Sequence, residues 1–539
     1  MIQSVVAFAL KFRVIIVALV LAVLIGGVVA YRNLDIEAYP NPVPPMIEII
    51  TLPDGWSAEE VERYVTIPLE IALSGMPGLA HMRSQSLFGL SDVKCYFRWG
   101  TEYEKARQEV INRLQFIQLP SSLQAQISPW NAIGEIYRYV LRGKGYTLTD
   151  VDGNTYIDLS SGIYITNWGH CHPKITEAAV EYTRKLQNCH DFNPEIKTRL
   201  LEALVKITPG DLNNVQLWCE GSKCVEAGMN VARAATGKYE FISFYNDMHG
   251  KTLGAQSLTT MTRISGPRAV GSFRVPYANC YHCSFNLTHP SCNFHCAEFI
   301  REAVTELATD TVAAVVVEPV QGGGGSVVPP AGWLARLRAL CDELGLLFFV
   351  DEVLTCMGRT GKVFCVDHED VVPDILTIGK GFGNGYPVTT TVYSDRIKDK
   401  MEHVSSASSY GGNPVACASA LACVEVIQEE GILEHVAKLG DYMLKRLKSF
   451  EDRYTIVGNT RGKGALLGIE LVKDRKTKAP NTEACRMIYR KAFERGVAWI
   501  PSGQNLRLSP PLIMPLEVAA KALDIVEEAI AETEKELGY

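Results

Sequence analysis

The chain has 539 residues, too many for one ordinary domain, and its 47% hydrophobic and 21% charged content is that of a globular protein. A formal net charge of -7 leaves no basic excess to neutralise a phosphate backbone, which excludes nucleic acid as an expected partner. All fifteen cysteines except Cys95 lie beyond residue 170, among segments that read as α/β rather than as a small stapled scaffold, so reduced thiols are expected.

From the amino terminus, Val14 to Tyr31 is an uncharged apolar run with Lys11 and Arg13 before it and Arg32 after it. About 18 residues at roughly 1.5 Å each just span a bilayer core, so residues 1–33 are expected to form a single-pass membrane anchor. A cleaved signal peptide is the rival, with Val28 and Ala30 as its small residues, but the stretch before the run is apolar rather than basic. Residues 34–143 then read as a soluble α/β segment. Met46 to Thr51 and Val93 to Phe97 are expected strands, and Ser57 to Ser74 and Glu102 to Gln118 expected helices. Ser57 is the N-cap of the first helix and Glu60 its capping-box partner. The apolar run followed by "DIEAYPNPVPPMIEIIT", "SAEEVERYVTIPLEIALSGMPGL" and "RSQSLFGLSDVKCYF" resembles the amino terminus of a heavy-metal efflux pump of the resistance-nodulation-division family. The likeness covers a first membrane helix and a partial α+β porter segment. Such pumps need many membrane helices, so transport by this chain is not implied.

Near Gly143 the character changes without a Pro/Gly/Ser-rich linker. A turn at Asp152-Gly153-Asn154 separates two strand-like runs. Beyond it, helices (Pro173 to Leu186, Ile196 to Ile207, Ser222 to Ala235, Cys296 to Ala308) alternate with β-rich runs (Phe241 to Tyr245, Ala313 to Val317, Leu346 to Val350, Ile375 to Ile378). That alternation predicts a doubly wound, mostly parallel sheet.

Ligands of such sheets collect at the carboxyl ends of the strands, so the polar residues that end each apolar run are the candidates. Asp351-Glu352 closes "LLFFVDEV", and a carboxylate there can pair with a protonated pyridine nitrogen, although an Asp capping a turn is the plainer alternative. Lys380 follows a strand inside the glycine-rich "IGKGFGNG"; a desolvated lysine there can become a nucleophile toward an aldehyde carbon, while a surface lysine in a turn is the default. Glu318 and Gln321 end the run "AAVVVEPVQ". Gly221 and Ser222 precede an amphipathic helix, whose free amides and dipole attract a phosphate.

The ordered segments "DVDGNTYIDL", "GHCHP", "EGSKCVEAG", "HGKT", "EPVQG", "DEVLTCMGRTG", "PDILTIGKGFGNGYP", "SSYGGNPVACASALA" and "LRLSPPLI" resemble the class III, ornithine/4-aminobutyrate type, aminotransferases that use pyridoxal 5'-phosphate (PLP). The likeness covers about residues 144–539. It implies a fold-type I α/β enzyme, with residues 144–195 and 401–539 forming a small domain and 196–400 the large cofactor-binding domain. It also implies a homodimer that moves an amino group from an amino acid or ω-amino acid to a 2-oxo acid. Lys380 is implied to carry the cofactor and to shuttle a proton to and from the substrate carbon. The resemblance further implies that Asp351 holds the pyridine nitrogen, that Val353 packs on one ring face and Met248 and His249 on the cofactor side, and that Gly221 and Ser222 take the phosphate with Ser409 of a second subunit. Arg507 is implied to clamp the substrate carboxylate beside Ile163 and Tyr164, with Glu318 pairing to that arginine when an amine end enters instead. A racemase or decarboxylase on the same scaffold is the competing enzyme, and a fusion in which neither part works is the competing non-enzyme.

Several positions depart from the family pattern. Met248 replaces an aromatic ring, Leu354 replaces a glutamine that donates to the ring oxygen, Lys223 and Cys224 follow the phosphate-binding serine, and Gly323 stands where glutamate is common. The efflux-pump segment occupies the place of the arm that helps close the site. Cys280, Cys283, Cys292 and Cys296, with His282, His289 and His295 interleaved, are candidate metal ligands, but only the first pair has a familiar spacing and no metal is expected.

Overall fold

The computed structural model describes Lys11, residues 45–127 apart from 54, 55, 88, 99, 118, 121, 122 and 124, and residues 140–539 apart from 190, 191, 261–268, 403 and 501. The expected anchor at Val14 to Tyr31 lies outside the described residues; among those described, no helix is long and apolar enough to cross a membrane. The chain divides into two units, Met1–Tyr139 and Val140–Tyr539.

In the first unit β1 (Met46–Thr51), β2 (Leu79–Leu87), β3 (Leu90–Phe97) and β4 (Gln126–Ile127) form an antiparallel sheet ordered β2-β3-β1-β4. Alternation places Ile47 and Ile49 of β1 and Val93, Cys95 and Phe97 of β3 in one core with Val65, Leu69 and Leu73. The expected first helix is present in three pieces, Ala58–Val61, a π turn at Glu62–Thr66 and Ile67–Leu73. Its capping box is formed: Ser57 Oγ accepts from Glu60 N at 3.3 Å and Ser57 N donates to Glu60 Oε2 at 2.9 Å. Strand β2 was not anticipated, because its residues lack an alternating buried face.

In the second unit β5 (Val140–Lys144), β6 (Thr147–Asp150) and β7 (Thr155–Asp158) make an antiparallel meander. The Asp152-Gly153-Asn154 turn joins the last two strands. Asp150 Oδ1 accepts from Asp152 N at 3.0 Å and Asn154 N at 2.9 Å, and Gly153 adopts φ 86°. Strands β8 (Asn214–Trp218), β9 (Glu240–Phe244), β10 (Ser272–Val275), β11 (Val312–Val317), β12 (Leu347–Glu352), β13 (Ile375–Ile378) and β14 (Thr389–Tyr393) build a seven-stranded sheet ordered β10-β9-β11-β12-β13-β14-β8. It is parallel from β10 to β13, whereas β14 runs antiparallel to both its neighbours.

The strands of this sheet are buried on both faces, which is why they read as continuous apolar runs. Phe348 and Val350 of β12 pack in the core that holds Leu337 and Leu340 of the helix Trp333–Leu344. Leu347 and Phe349 pack with Val225 and Met229 of the helix Gly221–Thr236. That helix sits so close that a Cβ on Gly228 would lie 2.4 Å from Phe349 Cζ. A separate core joins β15 (Val457–Lys463), β16 (Leu466–Asp474) and β19 (Asn505–Leu508) to the helices Ile432–Arg453, Thr482–Glu494 and Leu516–Leu537, with the short strands β17 (Ala479–Pro480) and β18 (Val497–Ala498) at its margins.

Candidate active site

The carboxyl ends of β8, β9, β11, β12 and β13 open onto a cavity of about 370 Å³, within the size range of small-ligand sites. Each strand delivers its following residues there: Gly221 and Ser222 after β8, Met248 and His249 after β9, Glu318 after β11, Asp351, Val353 and Leu354 from β12, and Lys380 after β13. Because β14 is reversed, its amino end also reaches the cavity and adds Thr389.

Asp351 is buried and held from three directions. Its Oδ1 accepts from Thr377 Oγ1 at 2.8 Å and Val353 N at 3.1 Å, and its Oδ2 lies 2.8 Å from His249 Nδ1. Burial by itself pushes its carboxyl up, but the His249 hydrogen bond and charge outweigh that and hold it below the ordinary range. Asp351 is therefore an ionised acceptor on the cavity wall. Sequence reasoning missed the group behind it: the other ring nitrogen of His249 lies 3.3 Å from Asp247 Oδ2. Asp247 also ends an apolar run, so the rule that found Asp351 could have found it.

Lys380 enters the cavity from a backbone with φ 45°, a left-handed conformation that costs a lysine of order 1–3 kcal/mol. Its neighbours enforce that geometry. Phe382 N donates to Gly379 O and Gly383 N to Lys380 O, both at 3.0 Å, and Phe382 is fully buried. Gly381 lies under Asn167, where a Cβ would come within 2.1 Å of Nδ2. Arg359 Nη2 in turn holds Asn167 Oδ1 at 2.6 Å.

The helix Gly221–Thr236 begins at the cavity with Glu220 as its N-cap, and no side chain caps it, so its first amides are open to an anion. Ser222 Oγ, which accepts from Lys251 N at 3.1 Å, stands beside them. An ionised carboxylate, a lysine and an uncapped helix start around one cavity suit the pyridine nitrogen, aldehyde carbon and phosphate of PLP, so these residues fit that group. Leu354 lines the same cavity, and its side chain offers no donor to a ring oxygen.

The expected substrate residues lie elsewhere. Tyr164 and Arg507 line a second, smaller cavity with Ile163 and Ser509, and Tyr164 clusters with Leu354. The Arg507 guanidinium lies 5.9 Å from the Tyr164 ring centroid, and its buried Nε has no hydrogen-bond partner among the described residues. Glu318 does not pair with Arg507 here. It accepts from Met248 N at 2.7 Å and Gly322 N at 3.2 Å, and burial followed by repulsion from Asp247 pushes it up to about 8. Ser409 is exposed and outside the cavity of its own chain. Cys280, Cys283, Cys292 and Cys296 are free thiols that share one small pocket with His289 and His295, while His282 binds Glu470 at 2.6 Å. Among the described residues no group of three or more His, Cys, Asp or Glu is placed to hold a metal ion.

Comparison with known proteins agrees with this geometry. Residues 131–530 match the aminotransferase class-III family, and residues 5–161 match the AcrB/AcrD/AcrF family of efflux pumps. A leucine/methionine racemase of Thermococcus litoralis is 34% identical over 80% of this chain and 96% of that protein. An acetylornithine aminotransferase of Methanopyrus kandleri is 36% identical over 72% of this chain and 93% of its own. An amine transaminase from an uncultivated Pseudomonas species, solved in its PLP-bound form, superposes with a TM-score of 0.70 at 29% identity, covering 75% of this chain and 98% of that one. From the cavity and these matches together, the chain belongs to the class-III aminotransferase family.

Proposed function

We propose that the chain is a PLP-dependent transaminase that moves an amino group from an amino acid or ω-amino acid, of 4-aminobutyrate or ornithine type, to a 2-oxo acid. The observation that carries this reading is the convergence of Lys380, Asp351 and the uncapped Gly221–Thr236 helix on one cavity. Bound PLP supplies an electron sink for the charge left when a bond to the substrate carbon breaks. Asp351 accepts a hydrogen bond from the ring nitrogen and stays ionised because His249 faces its other side. Gly221 and Ser222 hold the phosphate, and Val353 and Met248 pack beside the ring. The Lys380 amine anchors the cofactor and then takes and returns the proton at the substrate carbon. Arg507, with its Nε unpartnered beside Tyr164, receives a substrate carboxylate. Exposure of Ser409 and of its neighbour Tyr410, at 71%, supports a homodimer in which this segment completes the partner's phosphate site. The apolar run at 14–31 and the efflux-pump match support a membrane-anchored enzyme.

A racemase is the second reading, favoured by the Thermococcus litoralis relative. Incubating the full chain and PLP with candidate amino donors and 2-oxoglutarate, then assaying glutamate, separates the two. Glutamate formation supports the transaminase; racemised donor without glutamate overturns it.

A further inference from the structure

The turn after β9 carries a buried array that the reaction above uses only at one end. Asp247 and His249 are both buried, at 0% and 3% exposure, and so is Asp351 at 4%. The imidazole lies between two carboxylates, with Nδ1 2.8 Å from Asp351 Oδ2 and Nε2 3.3 Å from Asp247 Oδ2. An ionised carboxylate can only accept, so a ring nitrogen facing one carries a proton, and two ionised partners call for two protons. Burial pushes the Asp247 carboxyl up and the His249 hydrogen bond and charge pull it down, while donors face both of its oxygens. Its Oδ1 accepts from Gln321 Nε2 at 2.7 Å, and its Oδ2 faces Glu318 N at 3.4 Å as well as the imidazole. Gln321 is itself pinned, because its Nε2 also donates to Tyr245 O at 2.7 Å.

We propose that Asp247 is a positioning residue that acts through His249: it holds the imidazole doubly protonated and fixed in orientation, so that Asp351 is presented to the cavity as an ionised acceptor. This rests on the cofactor-binding reading of Asp351, but the protonation of His249 can be observed whatever reaction the site performs. Burial by itself pushes the imidazole down, and the hydrogen bonds and charges of Asp247 and Asp351 reverse that and raise it to about 10. The other titratable groups facing the array are Glu318 at the end of β11, Tyr277, whose hydroxyl donates to Glu318 O at 3.0 Å, Cys224 on the Gly221–Thr236 helix, and Lys380 after β13. Cys224 and Tyr277 are both pushed well above their ordinary values by burial, so neither adds charge at neutral pH. Lys380 is common to wild type and variant.

The test is proton-nitrogen NMR of the full chain loaded with PLP and labelled with 15N-histidine, the His249 signals being assigned by their loss in His249→Gln. The wild type should show two slowly exchanging ring N–H resonances from His249, constant from about pH 6 to about pH 9, where a free imidazole would titrate. In Asp247→Asn, shown to be folded by circular dichroism, the Nε2–H resonance should be lost as pH rises through that range while the Nδ1–H resonance stays. Two resonances that persist in Asp247→Asn overturn the proposal. If that variant does not fold, the wild type decides: two resonances uphold the proposal, and a single one, with the shared proton on Asp247, overturns it.

Discussion

Gly228→Ala tests whether the helix Gly221–Thr236 is seated on the sheet as described, because two known effects then oppose each other. In an unhindered helix interior, alanine is favoured over glycine by about 0.8–1.0 kcal/mol. Here the new Cβ would lie 2.4 Å from Phe349 Cζ, 2.7 Å from Phe349 Cε1 and 3.3 Å from Ile375 Cγ2. Phe349 and Ile375 are fully buried and cannot swing into solvent. Overpacking of this kind costs about 1–3 kcal/mol, and the two buried neighbours put it at the upper end, leaving a net loss of about 1–2 kcal/mol. The assay is urea denaturation of the full chain without PLP, read by circular dichroism. Phe349→Leu should recover most of the loss when combined with Gly228→Ala, a coupling of about 0.5–3 kcal/mol. Because the helix starts at Gly221, a displaced helix should also weaken PLP binding. A Gly228→Ala chain more stable than wild type by about 1 kcal/mol would refute the close packing.

Three further outcomes follow from the site. Asp351→Asn removes an ionised acceptor, and a hydrogen bond to a charged group is worth about 1.5–3 kcal/mol, so PLP binding should weaken roughly tenfold to a hundredfold in a spectroscopic titration; unchanged affinity would place the ring nitrogen elsewhere. Arg507→Gln should raise KM for a 2-oxo acid by a similar factor, about 10 to 100, with a smaller effect on kcat and none on an amine donor that lacks a carboxylate. Glu318 has its pKa raised by burial from the ordinary 4.5 to about 8, so between those values the folded chain keeps a proton that the unfolded chain releases. Stability from this group is complete below about 4.5 and is lost as pH rises to about 8. The Glu318→Gln chain should lose less stability over that window than wild type when urea midpoints are compared across pH. Parallel curves would contradict the burial argument.

Features fixed by neighbours in sequence were legible there. The Ser57–Glu60 capping box, the Asp150–Asn154 turn and the helix Gly221–Thr236 depend on residues a few positions apart, and they were anticipated to within about one residue. That Asp351, Glu318 and Lys380 line one cavity was legible because a parallel sheet gathers its carboxyl ends, so position along the chain translates into position in the cavity. The reversal of β14 was not legible, since strand direction is set by distant partners and "TTTVY" reads the same either way. Nor was the Asp247–His249–Asp351 array, which needs side chains 102 and 2 residues apart to meet. The placing of Arg507 and Tyr164 in a second cavity likewise depends on distant partners, since Arg507 lies on β19, which pairs with β16, and Glu318 meets Met248 N across 70 residues.

The most direct measurement concerns Lys380. Wild-type chain supplied with PLP should develop a visible absorption band distinct from free PLP, and reduction with borohydride should leave a pyridoxyl group on Lys380 in peptide mass spectrometry, with both signals lost in Lys380→Ala. A band of the same position and intensity in Lys380→Ala, or a pyridoxyl group on another lysine of the wild type, would contradict the assignment of this cavity as a PLP site.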